Sequence, residues 1–245
     1  MEQFNIHNIT SKLETDGVVI IKSVYTIKQI EELKLIATEK YKYVNENIHN
    51  MIPEIYNYYT HFNKENCVTK NYYNCNNLKI IEITKGRYDI GFSTNIKINP
   101  IINKVINHFI KKQKITEWGL LTSDINSNNG PWHRDTININ GDADENGNYD
   151  DSVMVHYLQP FYFTILIPLV PLNKTNGTTE FIKGSHKLTY DEAKEKEHIR
   201  IDTNIGDIII FDGRIFHRGR ENNSNEKRPI LYNIVHRSWY IDMGI

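Results

Sequence analysis

Cysteine is scarce in this sequence of 245 residues. Only Cys67 and Cys75 are present, which is too few for a disulfide framework in a chain of this length. The two cysteines also lack the paired spacing that a zinc-binding motif requires. Their scarcity argues against a disulfide-stabilised secreted domain and favours a reducing, cytoplasmic location.

An excess of charge of either sign is also lacking. The chain has 29 Lys and Arg residues and 30 Asp and Glu residues, so its formal net charge at pH 7 is -1. No overall electrostatic field therefore attracts it to nucleic acid or to an acidic membrane surface. We expect a small-molecule substrate as its partner, and a monomer or a weak homodimer in solution.

Long hydrophobic runs are missing as well. The longest apolar stretch, residues 161–172, contains two prolines and is shorter than the roughly 20 residues that a membrane-spanning helix needs. Residues 1–11 are polar and hold no hydrophobic segment of the kind found in signal peptides. We therefore expect no membrane anchor.

The length and the hydrophobic content of 39% suit one sizeable core. Residues 1–245 are accordingly predicted to form a single domain. Within it, residues 1–115 are predicted to be a helix-rich part that packs on a sheet, and residues 116–245 to form a β-rich core.

Two helices and one strand are predicted in the N-terminal part. Residues 17–21 (GVVII) are typical of a buried strand. Thr26 is a candidate N-cap for a helix with apolar residues at three-residue steps, and residues 100–112 have the apolar stripe of a second helix. Residues 45–77 are rich in Tyr, Asn and His without a clear period, which predicts loops and short elements.

Beyond residue 117 the pattern changes to short β-rich runs separated by turn residues. Several short strands without helices between them indicate an antiparallel sandwich or barrel. The predicted strands are Trp118–Ser123, Tyr162–Pro168, Thr178–Ile182, Asp207–Phe211 and Ile230–Val235.

A candidate metal site begins in the sequence PWHRDT. His133 and Asp135 are two residues apart, so in an extended strand both side chains project from the same face. His217 follows 82 positions after Asp135, directly behind a predicted strand. Two imidazoles and one carboxylate leave three octahedral positions open, which suits an iron(II) oxygenase.

Alone, a His-x-Asp tripeptide is more often structural than catalytic, and HRD also occurs in the catalytic loop of protein kinases. The kinase interpretation fails because the sequence lacks both a glycine-rich loop near its start and a DFG motif.

Two arginines could serve a binding site. Arg228 lies 11 residues after His217 at the start of a predicted strand, where its guanidinium could bind a carboxylate in bidentate fashion. The alternative is a surface arginine that caps a loop. Arg87, with Tyr88 and Asp89 in KGRYDIG, could line the same pocket or lie in an exposed turn.

The segment NGTTEFIKGSH, residues 176–186, lies between the two halves of the candidate metal site. With this segment the sequence closely resembles the phytanoyl-CoA dioxygenase family, whose members carry an NG-x-x-x-F-x-x-GSH segment in this place. The resemblance also covers the DGVVII strand, the His133 to Asp135 motif, His217 and Arg228, all in the same order.

The resemblance implies a double-stranded β-helix, also called a jelly roll, and an oxidoreductase. It assigns Fe(2+) to His133, Asp135 and His217, and the distal carboxylate of the co-substrate 2-oxoglutarate to Arg228. The implied reaction consumes O2, oxidises a small organic substrate, often by hydroxylation, and releases succinate and CO2, with ascorbate as a reductant. Because the carboxylate Asp135 is present, hydroxylation is favoured over halogenation.

Gly219 departs from the pattern of the family, which often has Ser or Thr there to help hold the co-substrate. Thr164, on the strand that approaches Asn176, is a candidate to supply the missing hydroxyl. Gly219 also keeps an iron oxidase or epoxidase that does not consume 2-oxoglutarate as an alternative. A further alternative is a catalytically silent jelly-roll binding protein.

An acidic segment, residues 137–159, follows the metal motif. The positions of Asp142, Asp144 and Gly147 match the start of a calcium-binding EF-hand loop, but the twelfth position is Val153 where a Glu is required. We therefore expect this segment to be a mobile insertion that overhangs the pocket and binds no calcium.

Overall fold

The computed structural model describes residues 4–48, 54–59, 67–75, 78–92, 96–136 and 152–240. Its α-helices are α1 (Ile6–Asp16), α2 (Ile27–Asn47), α3 (Pro100–Phe109) and the short α4 (Tyr190–Ala193). In these parts of the chain no helix has the length and apolar character needed to cross a membrane.

The helix ends follow from local sequence. Thr26 caps α2 as predicted, because its hydroxyl accepts from the backbone of Gln29 while the Gln29 side chain accepts from the backbone of Thr26. Helix α1 was not predicted. It is capped by Asn5 and ends at Gly17, whose φ of 77° is readily adopted only by glycine.

The strands form two antiparallel sheets. Within the described residues, nine strands make the large sheet in the order β1-β10-β7-β12-β6-β5-β4-β3-β2, and three make the small sheet in the order β11-β8-β9. The strands are β1 (Val18–Ile21), β2 (Glu54–Tyr59), β3 (Cys67–Cys75), β4 (Leu78–Thr84), β5 (Arg87–Phe92), β6 (Gln113–Ser123), β7 (Tyr162–Pro168), β8 (Thr179–Ile182), β9 (His198–Arg200), β10 (Ile208–Asp212), β11 (His217–Gly219) and β12 (Arg228–Arg237).

Successive residues along the strands of the large sheet face opposite sides of the sheet, and the two sides pack into different hydrophobic cores. One face, including Ile165 and Leu231, packs with the buried faces of α2 and α3 in the larger core. The other face includes Ile230 and Phe211 and packs against the small sheet, where Phe181 meets Phe211 with ring centroids 5.2 Å apart. The space between the two sheets is where the candidate site lies.

The first half of the chain contains more sheet than predicted. Residues 45–77 were expected to be loops and short elements, but they contain β2 and β3, which pair with each other and extend the large sheet from β4. The described part of residues 1–115 therefore contains β1 to β5 and the first residues of β6, in addition to α1, α2 and α3. The five strands predicted from residue 118 onward are present, but β6 begins five residues earlier than predicted, and the short strands β9 and β11 were not predicted.

Candidate metal centre and carboxylate pocket

Backbone pairing brings the His-x-Asp segment against β11. The backbones of His133 and His217 exchange two hydrogen bonds, each of 3.0 Å. Asp135 is held in the same way, since its N–H donates to the carbonyl of Gly213 at 2.8 Å. The main chain thus fixes all three predicted ligands before any metal is considered.

The three side chains converge on one point. Oδ1 of Asp135 lies 3.6 Å from Nε2 of His133 and 3.4 Å from Nε2 of His217. One ligand atom from each residue lies within 4.8 Å of the others. The sequence prediction that His133, Asp135 and His217 lie together therefore agrees with the geometry.

Both imidazoles are oriented by the main chain. Nδ1 of His133 lies 3.0 Å from the carbonyl of Pro131, and Nδ1 of His217 lies 3.1 Å from the carbonyl of Ile215. Because a carbonyl accepts only, each Nδ1 carries a proton, which leaves Nε2 as the nitrogen of each ring that faces the carboxylate and can bind a metal. Two neutral imidazole nitrogens and one carboxylate are a donor set that fits iron(II).

Thr164 lies beside the metal ligands and not beside Arg228. Its hydroxyl donates to Oδ2 of Asp135 at 2.5 Å. In the pairing of β7 with β12, Thr164 lies opposite Ile234, six residues from Arg228, which is about 20 Å along an extended strand. The structure therefore places this hydroxyl on the ligand carboxylate, and not where it was expected to hold the co-substrate.

Arg228 is buried, with 3% of its surface exposed, so it is not a surface residue that caps a loop. Its Nη1 donates to the carbonyls of Asn176, Gly177 and Arg220, and its Nη2 donates to the hydroxyl of Ser123 at 2.9 Å. A Cβ at Gly177 would lie 2.7 Å from Nη1 of Arg228. The glycine of the NG segment therefore allows the guanidinium to approach the main chain.

Arg87 is a second buried arginine in the same region, with 5% of its surface exposed. It lies in β5 and not in an exposed turn, and its Nη2 donates to the carbonyls of Asn128 and Arg220. Burial lowers the pKa of Arg87 to about 10. Burial, and then repulsion from Arg87, lowers the pKa of Arg228 to about 9.

Comparison with known proteins identifies the family. The sequence profile of the phytanoyl-CoA dioxygenase (PhyH) family matches residues 13–230. The chain belongs to the phytanoyl-CoA dioxygenase family.

This family member is similar to a curated protein, the Fe(II)/2-oxoglutarate-dependent dioxygenase nvfF of Aspergillus novofumigatus (strain IBT 16806). It is 35% identical over 66 residues, which are 26% of this chain and 22% of that protein. The matched segments span about a fifth of the length of the curated relatives.

Solved structures share the fold of this phytanoyl-CoA dioxygenase family member. AviO1 from Streptomyces viridochromogenes Tue57 superposes with a TM-score of 0.62 at 15% identity, over 96% of each chain. HygX from Streptomyces hygroscopicus, with nickel and 2-oxoglutarate bound, superposes with a TM-score of 0.59 at 10% identity, over 96% of this chain and 88% of that one. The predicted jelly-roll fold is confirmed.

The acidic segment falls mostly outside the described residues. Residues 137–151, which include nearly all of the calcium-like motif, are not among them, so the mobile insertion over the pocket stays a prediction. Its last part is described and forms a five-residue π-helix, Val153–Tyr157.

Proposed function

We propose that this chain is a non-haem iron(II), 2-oxoglutarate-dependent dioxygenase that oxidises a small organic substrate, with release of succinate and CO2. The observation that carries the proposal is the convergence of two oriented imidazoles and one carboxylate between the sheets. Membership of the phytanoyl-CoA dioxygenase family and the local similarity to iron- and 2-oxoglutarate-dependent dioxygenases of Aspergillus support the same reaction class.

His133, Asp135 and His217 would hold the iron. When bound, iron(II) together with 2-oxoglutarate and O2 supplies the oxidising power for the reaction. Thr164 binds one oxygen of Asp135 and leaves Oδ1 directed toward the two imidazoles. Arg228 would receive the distal carboxylate of 2-oxoglutarate.

The exposure of the ligands indicates the side from which substrate approaches. The side chains of His133 and Asp135 are 34% and 18% exposed, whereas that of His217 is 8% exposed. His217 is enclosed by aromatic rings, with centroid distances of 4.6 Å to Phe211 and 5.7 Å to Phe181. These apolar walls would shield a bound metal from water on the side of His217, so we propose that substrate enters on the side of His133 and Asp135.

The substrate is proposed to be a small molecule, because the site lies between two sheets. We also propose a reducing, cytoplasmic setting, in which ascorbate or a similar reductant keeps the iron in the iron(II) state. A monomer or a weak homodimer is the proposed state in solution.

Metal binding and turnover test this function separately. Calorimetry under anaerobic conditions should show one Mn(II) or Fe(II) per wild-type chain, and His133→Ala and His217→Ala should abolish this binding. His108→Ala is the matched control, because His108 is half exposed and lies outside the three-ligand cluster.

Succinate release is then measured against a panel of metabolites with iron and ascorbate supplied. It should require added 2-oxoglutarate and fall to background in both ligand variants. Substrate oxidation without 2-oxoglutarate, or metal affinity of wild-type strength in both variants, would contradict the proposed function.

A further inference from the structure

Three polar residues form a straight row across adjacent strands of the large sheet. Ser123 in β6 pairs directly with Arg87 in β5 on one side and with Arg228 in β12 on the other. Residues opposite each other on paired strands have Cβ atoms about 4.5–5.5 Å apart. All three are buried, with 5%, 2% and 3% of their surfaces exposed for Arg87, Ser123 and Arg228.

The two guanidiniums carry positive charge that nothing in the described structure neutralises. Their hydrogen-bond acceptors are backbone carbonyls and the hydroxyl of Ser123, all of them neutral. Among the described residues no carboxylate lies within ion-pair distance of either one. Glu221 attracts Arg87 from a distance, but its side chain pairs with Arg220.

Such an arrangement is costly for the protein alone. Burying one cation without a partner is unfavourable, and placing a second cation beside it adds repulsion. Nε of Arg87 and Nε of Arg228 are also buried, with no hydrogen-bond acceptor among the residues that the structure describes. Buried positive charges with unused donors fit an anion that arrives from solution.

Gly219 connects this row to the metal centre. It lies two residues after the ligand His217 on β11. A Cβ at Gly219 would overlap Nη1 of Arg87 and lie 3.4 Å from Nη2 of Arg228. The absence of a side chain at this position therefore makes room for both guanidiniums beside the strand that carries a metal ligand.

We propose that Arg87, Ser123 and Arg228 together form one receptor for the distal carboxylate of the 2-oxo acid co-substrate. This inference rests on the proposed function and adds Arg87 as a second guanidinium and Ser123 as a hydroxyl donor. Ser123 accepts a hydrogen bond from Arg228, so its own hydrogen is available to the carboxylate. The receptor makes the site selective for 2-oxo diacids over 2-oxo monoacids.

Replacing Arg87 with glutamine tests the receptor directly. Calorimetry of the Mn(II)-loaded protein without oxygen measures the affinity for 2-oxoglutarate and for 2-oxopentanoate, which has the same chain length but no distal carboxylate. Loss of one charged hydrogen-bonding partner should weaken 2-oxoglutarate binding about 10- to 100-fold. The affinity for 2-oxopentanoate should change by less than about threefold, because that acid makes no contact with Arg87.

Matched variants separate recognition from folding. Arg237→Gln is the control, because Arg237 also donates to backbone carbonyls but lies at the opposite end of β12. Arg87→Lys should recover part of the affinity, since it restores the charge. Gly219→Ala should reproduce the selective loss by displacing the Arg87 guanidinium, and it keeps the test decisive if Arg87→Gln does not fold.

The outcomes distinguish this inference from the proposed function. Unchanged 2-oxoglutarate affinity in Arg87→Gln and Gly219→Ala, or an equal loss for both acids, would overturn the receptor and leave the proposed function standing. Wild-type protein that does not prefer 2-oxoglutarate to 2-oxopentanoate would overturn the proposed function and the receptor with it.

Discussion

Replacing Arg228 with methionine removes a buried cation while keeping an unbranched side chain. Two effects on the free protein oppose each other. Burial, and then repulsion from Arg87, lowers the pKa of Arg228 from 12.5 to about 9. At about 1.4 kcal/mol per pKa unit, removing this unfavourable charge stabilises the folded protein by roughly 4–5 kcal/mol.

The lost hydrogen bonds act in the opposite direction. The carbonyls of Asn176, Gly177 and Arg220 and the hydroxyl of Ser123 each lose a donor. A buried polar group left without a partner costs about 1–3 kcal/mol. The carbonyl of Arg220 keeps Arg87 as a donor. The two effects have opposite signs, so we expect the variant to fold and to lose less stability without ligand than the broken hydrogen bonds alone would cost.

Co-substrate binding has no such compensation. Loss of one partner of a buried, hydrogen-bonded charge pair costs about 2–4 kcal/mol, which is roughly a 30- to 1000-fold weaker affinity. Anaerobic calorimetry with 2-oxoglutarate on Mn(II)-loaded Arg228→Met should show this loss, and Mn(II) affinity should be unchanged. The reasoning is refuted if the variant unfolds at a much lower temperature while it retains wild-type 2-oxoglutarate affinity.

Two further substitutions test the surroundings of the metal ligands. Thr164→Val removes the hydrogen bond to Asp135. It should weaken the Mn(II) affinity measured by calorimetry about 10- to 100-fold. An unchanged affinity would show that this hydrogen bond is not needed for metal binding. Asp212→Asn breaks the buried pair with Arg214 and should lower the free energy of unfolding in urea by about 3–5 kcal/mol at neutral pH. Burial raises the pKa of Asp212, but the neighbouring Arg214 has the larger effect and holds the pKa below 3.8. The difference in unfolding free energy between wild type and Asp212→Asn should therefore shrink below pH 3.8, as the carboxylate is protonated. An equal difference at pH 3 and pH 7 would contradict that assignment.

The metal ligands were predictable because their signal is local. His133 and Asp135 share a strand face through their spacing of two, and His217 follows a β-branched run that ends a strand. The strands from residue 118 onward were predictable for the same reason, since turn residues separate their apolar runs. The apolar run after Arg228 likewise predicted a strand that begins there, and the family resemblance assigned Arg228 to the co-substrate carboxylate.

Other features depend on register, which a single sequence does not reveal. Strands β2 and β3 lack an alternating pattern and are defined by pairing with each other and with β4. Thr164 was expected near Arg228, but the pairing of β7 with β12 sets them six positions apart. Arg87 joins the pocket only because β5, β6 and β12 align it with Arg228 through Ser123.

Strand β12 divides its two faces between different tasks. Leu231 and Val235 pack into the core shared with the helices, whereas Arg228, Ile230 and Tyr232 lie on the face toward the small sheet. Neighbouring positions therefore serve different purposes, one in packing the core and one in lining the pocket. A substitution at Leu231 or Val235 would act first on the core beneath the helices, whereas one at Arg228 would act first on what the pocket binds.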